Sequence, residues 1–201
     1  MNEKSNIIVR SANSGIARIK LNQPDTYNAL SSSTLKLLIE AFKNLHEDDN
    51  TKVVVIEGSG SGFCAGHNLK EVNSLKGKSD YKKLFDLCSK LMMTIINNNK
   101  PVIAKVHGAA FAAGCQLVAT CDLALSTNDA IFSTPGVNIG LFCSTPMVAV
   151  SRNITRKKTM KMLLTGEPID AQHAKDIGLI NDFFNHDQLF SSLSLILGSI
   201  K

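Results

Sequence analysis

Two loops rich in small residues contain the residue types best suited to chemistry. The first, GSGSGFCAGHNLKEV (residues 58–72), follows the apolar run VVVIE, which is typical of a buried strand. It is not a dinucleotide-binding fingerprint, because Phe63 stands where that motif needs its third glycine. It is not a nucleophile elbow either, because Gly60 rather than a serine lies between Ser59 and Ser61. A flexible surface loop is compatible with the same composition.

The second loop repeats this arrangement. The strand-like run VIAKV is followed by HGAAFAAGCQL (residues 107–117), where small residues again precede a helix. Small residues let a ligand approach the main chain, and a helix N-terminus offers unpaired N–H donors with partial positive charge. Two such loops facing each other could bind one oxygen between two backbone N–H groups, as an oxyanion hole does. Tight packing of helix on strand would use the same small residues, so both interpretations stay open.

Alternating strands and helices must position these loops. Residues 7–10 and 16–21 predict a β-hairpin joined through Asn13-Ser14-Gly15, and serines at 31–33 offer a cap for a helix. The other predicted strands are 53–57, 102–106, 122–126, 131–133 and 180–184, and the other predicted helices are 84–95, the stretch after 112, 145–153, 155–164, 171–176 and a final helix. This alternation predicts an α/β fold with largely parallel, buried strands. We find no internal repeat or linker, so we expect a single domain over 1–201 with its core at about 7–184.

Composition narrows the class of protein. The 201 residues are 44% apolar, which suits a globular domain, and no apolar run is long enough for a bilayer span. The first ten residues lack the apolar core of a signal peptide. Five cysteines without metal-type spacing indicate free thiols in a reducing compartment, so we expect a cytoplasmic protein, with the mitochondrial matrix as the alternative. The net charge of +5 is compatible with nucleic acid, a membrane surface or a polyphosphate ligand.

Several motifs in order resemble the crotonase family, the enoyl-CoA hydratase/isomerase superfamily. They are PDTYNAL, SGFCAGHNLKEV, KPVIAKVHGAAFAAGCQLVATCDLAL, FSTPGVNIGLF and MLLTGEPIDAQHAKDIGLIN, and the resemblance extends over residues 7 to about 181. The run PGVNIGLFCSTP points to one branch of that family. The resemblance implies a ClpP/crotonase spiral of ββα units and an acyl-CoA thioester as substrate or ligand. It implies no other cofactor, no metal, and assembly into trimers or hexamers.

The resemblance also implies which residues form the site. The backbone N–H groups of His67 and Ala113 would form the oxyanion hole; the family usually has glycine at the second place, but alanine still supplies an N–H. The backbone around 64–66 would bind the adenine and pantetheine parts of CoA. The full substrate-binding set expected from the resemblance is Cys64, Ala65, Gly66, His67, Asn68 and Ala113.

Two positions depart from the hydratases of the family. Those enzymes use two glutamates, and here the corresponding places hold Gln116 and Gly136. Glutamine cannot exchange a proton near neutral pH, and no Asp or Glu occurs over 106–119 or 130–155. General acid/base groups each contribute about 10²–10⁴-fold, so we expect little or no hydratase activity. We also expect that glutamates at both positions would restore hydration.

The other polar residues have simpler interpretations. His107 and Asp122 are expected to stabilise turns, Glu71 to point to solvent from a short helix, and Cys143 to lie at a helix N-cap. The side chain of His67 is a lesser candidate for catalysis. The lysines at 76, 78, 82 and 83 are expected to form a solvated face.

The leading hypothesis is an acyl-CoA thioester-binding member of this family, from the lyase/hydratase or isomerase class of lipid metabolism, with an oxyanion hole but without the hydratase glutamates. One alternative is a non-catalytic acyl-CoA binder or inactive remnant, and another is an RNA-binding relative, suggested by the basic charge. Members of the family extend well beyond the point that corresponds to residue 201. We therefore expect a truncated C-terminal helical segment and impaired assembly.

Overall fold

A six-stranded sheet forms the central layer. The computed structural model describes residues 5–11 and 14–199. Its strands are β1 (Ile7–Ser11), β2 (Ile16–Leu21), β3 (Val53–Gly58), β4 (Val102–Val106), β5 (Ala109–Phe111), β6 (Leu123–Thr127), β7 (Ile131–Ser133), β8 (Ile169–Asp170) and β9 (Asp182–Phe184). The large sheet has the order β1-β2-β3-β4-β6-β9, with every pairing parallel except β1 with β2. Because β3 and β4 are parallel neighbours, the loops that follow them emerge at the same edge.

Helices cover both faces of this sheet. They are α1 (Ser32–Glu47), α2 (Leu69–Ser74), α3 (Lys78–Ile96), α4 (Ala113–Thr120), α5 (Ser144–Asn153), α6 (Arg156–Thr165), α7 (Ala171–Asp176) and α8 (His186–Ser199). The main core joins alternate residues of the strands to α1, α3 and α4. On the opposite face, Leu189, Leu193 and Leu197 of α8 pack against Val55 and Ile103. Burial on both faces explains why β3 and β4 are continuous apolar runs rather than alternating ones.

A second, three-stranded sheet lies beside the loop region. It has the order β5-β7-β8, with β5 and β7 parallel and β7 and β8 antiparallel. Strand β5 lies inside the small-residue run that was expected to be loop, and β8 is only two residues long. Neither strand shows an alternating apolar pattern in the sequence. Each forms because its backbone pairs with β7.

Most of the predicted elements are confirmed. The hairpin of β1 and β2 is present, with Asn13 of its predicted connection outside the described residues. Helix α1 has Ser31 as its N-cap, whose side chain accepts a hydrogen bond from the Thr34 N–H. Gly166, with φ of 64°, ends α6 in the left-handed region where a side chain would be strained. The prediction of an α/β fold with largely parallel strands is therefore correct.

Candidate active site

The two small-residue loops meet at the carboxyl edge of β3 and β4. The Cys64 N–H donates to the Ala109 carbonyl oxygen (3.0 Å), and the Phe111 N–H donates to the Cys64 carbonyl oxygen (2.9 Å). A Cβ placed on Gly114 would lie only 2.1 Å from the Cys64 carbonyl oxygen, so glycine is required for this contact. The first residues of α4 are thus packed directly on the first loop.

Most backbone N–H groups around this contact are already hydrogen-bonded. Those of Ala65 and Asn68 donate to the carbonyl oxygens of Tyr27 and Leu30, at 2.9 and 3.1 Å. In the described part of the chain, no acceptor is hydrogen-bonded to the N–H of His67 or to that of Ala113. These are the two donors that the resemblance assigned to the oxyanion hole.

The geometry brings these two donors onto adjacent segments. A Cβ placed on Gly66 would lie 3.1 Å from the Ala113 nitrogen, so only a glycine before His67 leaves the space beside the second donor open. Ala113 is the first residue of α4, whose first-turn N–H groups have no acceptor within the helix. Ala112 precedes it with φ of 49° and ψ of −116°, a conformation that alanine rarely adopts. Local backbone strain of this kind occurs often at functional sites.

Asn28 supports the first loop and was not singled out by the sequence. Its side chain is 1% exposed, and its Nδ2 donates to the carbonyl oxygens of Ser59, Gly62 and Phe63 at 2.8–3.1 Å. Its backbone adopts φ of 55°, which asparagine tolerates better than most residues. The only sequence signal was an asparagine in the PDTYNAL motif, which carries no information on partners some thirty residues away.

Gln116 is buried at the side of a cavity. Its side chain is 4% exposed, and the Cys88 thiol donates to its Oε1 across 3.9 Å. Burial raises the pKa of Cys88 to about 12, so this thiol stays protonated at neutral pH. The cavity has a volume of about 450 Å³ and lies between α3, α4 and α5. Met92 and Ala149 contribute apolar walls, and Arg152 stands at its exposed side.

Gly136 leaves no space for a longer side chain. It lies in a 3₁₀ turn (Pro135–Ile139), and a Cβ placed on it would lie 2.2 Å from the Leu141 carbonyl oxygen and 2.8 Å from Cys143 Sγ. The Leu141 N–H in turn donates to the Gly136 carbonyl oxygen (2.9 Å), which holds this loop closed. The position is therefore filled by backbone, and this revises the expectation that glutamates at both places would restore hydration.

Cys143 directly precedes α5, but its side chain does not cap the helix. It occupies the N-cap position, yet its side chain accepts no hydrogen bond from the first turn. Burial raises the pKa of the Cys143 thiol, and the N–H of Gly136 opposes this shift only in part. A thiol in this environment is a poor nucleophile at neutral pH.

The His67 ring is enclosed without hydrogen-bond partners. Both ring nitrogens are buried, and neither makes a hydrogen bond of normal geometry among the described residues, although the Leu30 backbone lies close to the ring. The ring packs edge-on against Phe85 of α3, with centroids 5.4 Å apart. Burial lowers the pKa of His67, while the Leu30 backbone and the Glu71 carboxylate oppose the shift. The imidazole is therefore neutral at physiological pH, with one nitrogen as donor and the other as acceptor.

The remaining predicted residues have structural roles. The expectation for Glu71 is wrong: its Oε2 accepts the Ser32 N–H (2.9 Å), which stabilises the N-terminus of α1. His107 Nε2 bonds the Gly60 carbonyl oxygen (2.9 Å), and Asp122 Oδ2 accepts the Val102 N–H (2.8 Å), as expected for residues that stabilise turns. Asn68 caps α2 by accepting the N–H groups of Lys70 and Glu71.

The lysine-rich surface adds no further chemistry to this site. The lysines at 76, 78, 82 and 83 are exposed, and two of them pair with acids on the same helix. In residues 5–11 and 14–199 no cluster of three His, Cys, Asp or Glu side chains is arranged for metal binding. None of the helices in the same residues combines the length and apolar character of a membrane span.

Sequence comparisons agree with the motifs. A family model described as Enoyl-CoA hydratase/isomerase matches residues 11–198. The Enoyl-CoA hydratase domain-containing protein 3, mitochondrial, of Rattus norvegicus is 46% identical over 175 residues, which cover 87% of this chain and 58% of the relative. The human protein of the same name is 47% identical over 167 residues, covering 83% and 55%. The chain thus spans little more than half the length of these two relatives, and their names do not support the expected cytoplasmic location.

Solved structures agree with the fold. An enoyl-CoA hydratase of Mycobacterium smegmatis superposes with a TM-score of 0.96 at 45% identity, covering 98% of this chain and 77% of that one. Human enoyl Coenzyme A hydratase domain-containing protein 3 superposes with a TM-score of 0.94 at 42% identity, with the same coverage. The predicted crotonase fold and the branch suggested by PGVNIGLFCSTP are therefore confirmed.

Proposed function

The chain belongs to the enoyl-CoA hydratase/isomerase family, and from that premise we propose that it binds an acyl-CoA with the thioester oxygen between the N–H groups of His67 and Ala113. The observation that carries this proposal is the pair of unbonded N–H groups on two loops that are tied together at Cys64. Two free donors on adjoining loops would favour an oxygen that bears partial negative charge, as a thioester carbonyl does. The N-terminus of α4 adds its partial positive charge at the same point.

The acyl chain would enter the cavity beside Gln116. This residue is three positions after Ala113, about 4.5 Å further along α4. The cavity of about 450 Å³ begins there and has apolar walls from α3 and α5. Its volume falls within the ordinary range of about 300–1,000 Å³ for small-molecule sites. The CoA portion would lie on the backbone of residues 64–66, and the net charge of +5 favours its phosphates.

Hydration is not the reaction that this site supports. Adding water to an enoyl thioester needs a base for the water and an acid for the α-carbon. The Gln116 amide cannot act as a general acid or base near neutral pH, and the backbone of Leu141 occupies the space beside Gly136. The oxyanion hole alone could polarise a thioester or stabilise its enolate, so a weak activity of the isomerase type and plain acyl-CoA binding are both compatible with the site. We propose binding as the basic function.

Three further proposals rest on names, family membership or net charge rather than on the site: the location in the cell, the assembly state and the RNA-binding alternative. The names of the relatives favour mitochondria, which we propose in place of the cytoplasm. A homo-oligomer is proposed on family membership alone. An RNA-binding function rests only on the basic charge, and its affinity would fall steeply with salt if several phosphates were bound.

Calorimetric titration tests the binding proposal. We expect butyryl-CoA to bind with measurable heat, CoA alone to bind more weakly, and butyrate not to bind, because the donors of the hole need the carbonyl oxygen and the CoA portion anchors it. Acetylated pantetheine, which lacks the nucleotide, separates the contribution of the phosphates. Equal affinity for butyrate and butyryl-CoA, or none for either, would disprove the proposal.

A further inference from the structure

The buried ring of His67 is the polar group that the proposed function leaves unexplained. Buried polar atoms are almost always hydrogen-bonded, because a buried polar group without a partner destabilises the folded state. Both nitrogens of this ring lack a partner in the described structure, although the residue belongs to the first loop of the site. Packing alone does not account for it, because a phenylalanine would fill the same space beside Phe85 without that cost.

Helix α3 connects this ring to the cavity. Phe85, Cys88, Ser89 and Met92 are spaced as one face of the helix. Phe85 packs on the His67 ring, Cys88 contacts Gln116, and the last two line the cavity. An acyl chain that ran from the thioester into the cavity would follow this face, whose first residue, Phe85, contacts the His67 ring.

We propose that the His67 imidazole selects acyl groups that carry a hydroxyl or keto oxygen close to the thioester. The inference rests on the proposed function, since it needs the thioester in the hole between His67 and Ala113. A neutral imidazole offers one N–H donor and one acceptor nitrogen, which matches a hydroxyl group that can accept and donate. An all-hydrocarbon chain would leave both ring nitrogens unpaired, whereas an oxygenated chain would pair at least one.

The test compares matched ligands on one protein. Affinities are measured for butyryl-CoA, 3-hydroxybutyryl-CoA and 4-hydroxybutyryl-CoA by calorimetry. We expect at least one hydroxylated ligand to bind about fivefold more tightly than butyryl-CoA, the effect of one net hydrogen bond. If butyryl-CoA does not bind, the proposed function itself fails. If butyryl-CoA binds and neither hydroxylated ligand binds more tightly, only the inference about His67 fails.

Variants then assign the preference to the ring. His67→Phe keeps the backbone N–H and the ring volume but removes both nitrogens, so the ratio of the affinities for the hydroxylated ligand and for butyryl-CoA should fall to about one. His67→Gln restores a donor and an acceptor and should recover part of the preference. His173→Phe, at an exposed position on α7, is the matched control and should behave like the unmodified protein. A preference that survives in folded His67→Phe would overturn the inference, and the ligand comparison on the unmodified protein decides the matter even if that variant does not fold.

Discussion

Replacing Gly114 with alanine should separate the two loops and strongly weaken thioester binding. The new Cβ would lie 2.1 Å from the Cys64 carbonyl oxygen and 2.9 Å from the Cys64 Cβ, and neither loop can yield without breaking the bonds between Cys64 and strand β5. Overpacking of this kind costs about 1–3 kcal/mol of unfolding free energy. Loss of alignment of both donors should weaken butyryl-CoA binding by roughly tenfold or more.

Gly77→Ala is the matched control. Gly77 is the N-cap of α3, has extended backbone with φ of −147° and has no atom within 4 Å of an added Cβ. Its variant should keep its affinity and lose at most about 1 kcal/mol of unfolding free energy, because alanine is a poorer N-cap than glycine. Chemical denaturation and calorimetry on the two variants measure the effects. Unchanged affinity and unfolding free energy in Gly114→Ala would contradict the close loop contact on which the site depends.

The unmodified protein should hydrate crotonyl-CoA at least about 10⁴-fold more slowly than a family hydratase that carries both glutamates. The lower bound follows from two acid/base groups worth about 10²–10⁴ each. Gln116→Glu alone should not restore the rate, because a single carboxylate cannot supply both proton transfers. Gln116→Glu with Gly136→Glu should also stay inactive and lose stability, since the second side chain would collide with the Leu141 backbone.

Loss of the enoyl thioester absorbance measures this rate, with a two-glutamate hydratase as positive control. Crotonyl-CoA binding is measured on the same samples, so that an absent rate is not confused with an absent ligand. A brisk rate in the unmodified protein would show that another group transfers the protons, and His67→Phe would be the first variant to assay. A restored rate in the double variant would show that the loop over residues 141–143 can move aside.

The framework of the site was predictable because its signals are local. The spacing of Leu35, Leu38 and Phe42 fixed the buried face of α1, and the apolar runs of β3 and β4 indicated strands buried on both faces. Parallel neighbours place their following loops at one edge, so the two loops meet once β3 and β4 are paired.

The functional detail depends on contacts that no local pattern records. Which N–H groups stay free is decided by Tyr27 and Leu30, whose carbonyl oxygens accept from residues 65 and 68. Glu71 was expected in solvent, but it bonds Ser32, thirty-nine positions away. The space at Gly136 is filled because the turn brings the Leu141 backbone over it. Irregular turns leave no periodic pattern in the sequence, so this contact could not be predicted.

The most direct test of the account is the carbonyl stretching frequency of a bound thioester. Butyryl-CoA with ¹³C at the thioester carbon is bound to the protein, and its isotope-shifted infrared band is compared with that of the free ligand. Hydrogen bonds from two backbone N–H groups draw electron density toward the oxygen and weaken the C=O bond. The account predicts a band at clearly lower frequency in the unmodified protein and in Gly77→Ala. A saturated complex whose carbonyl band stays at the free-ligand position would contradict the oxyanion hole at His67 and Ala113.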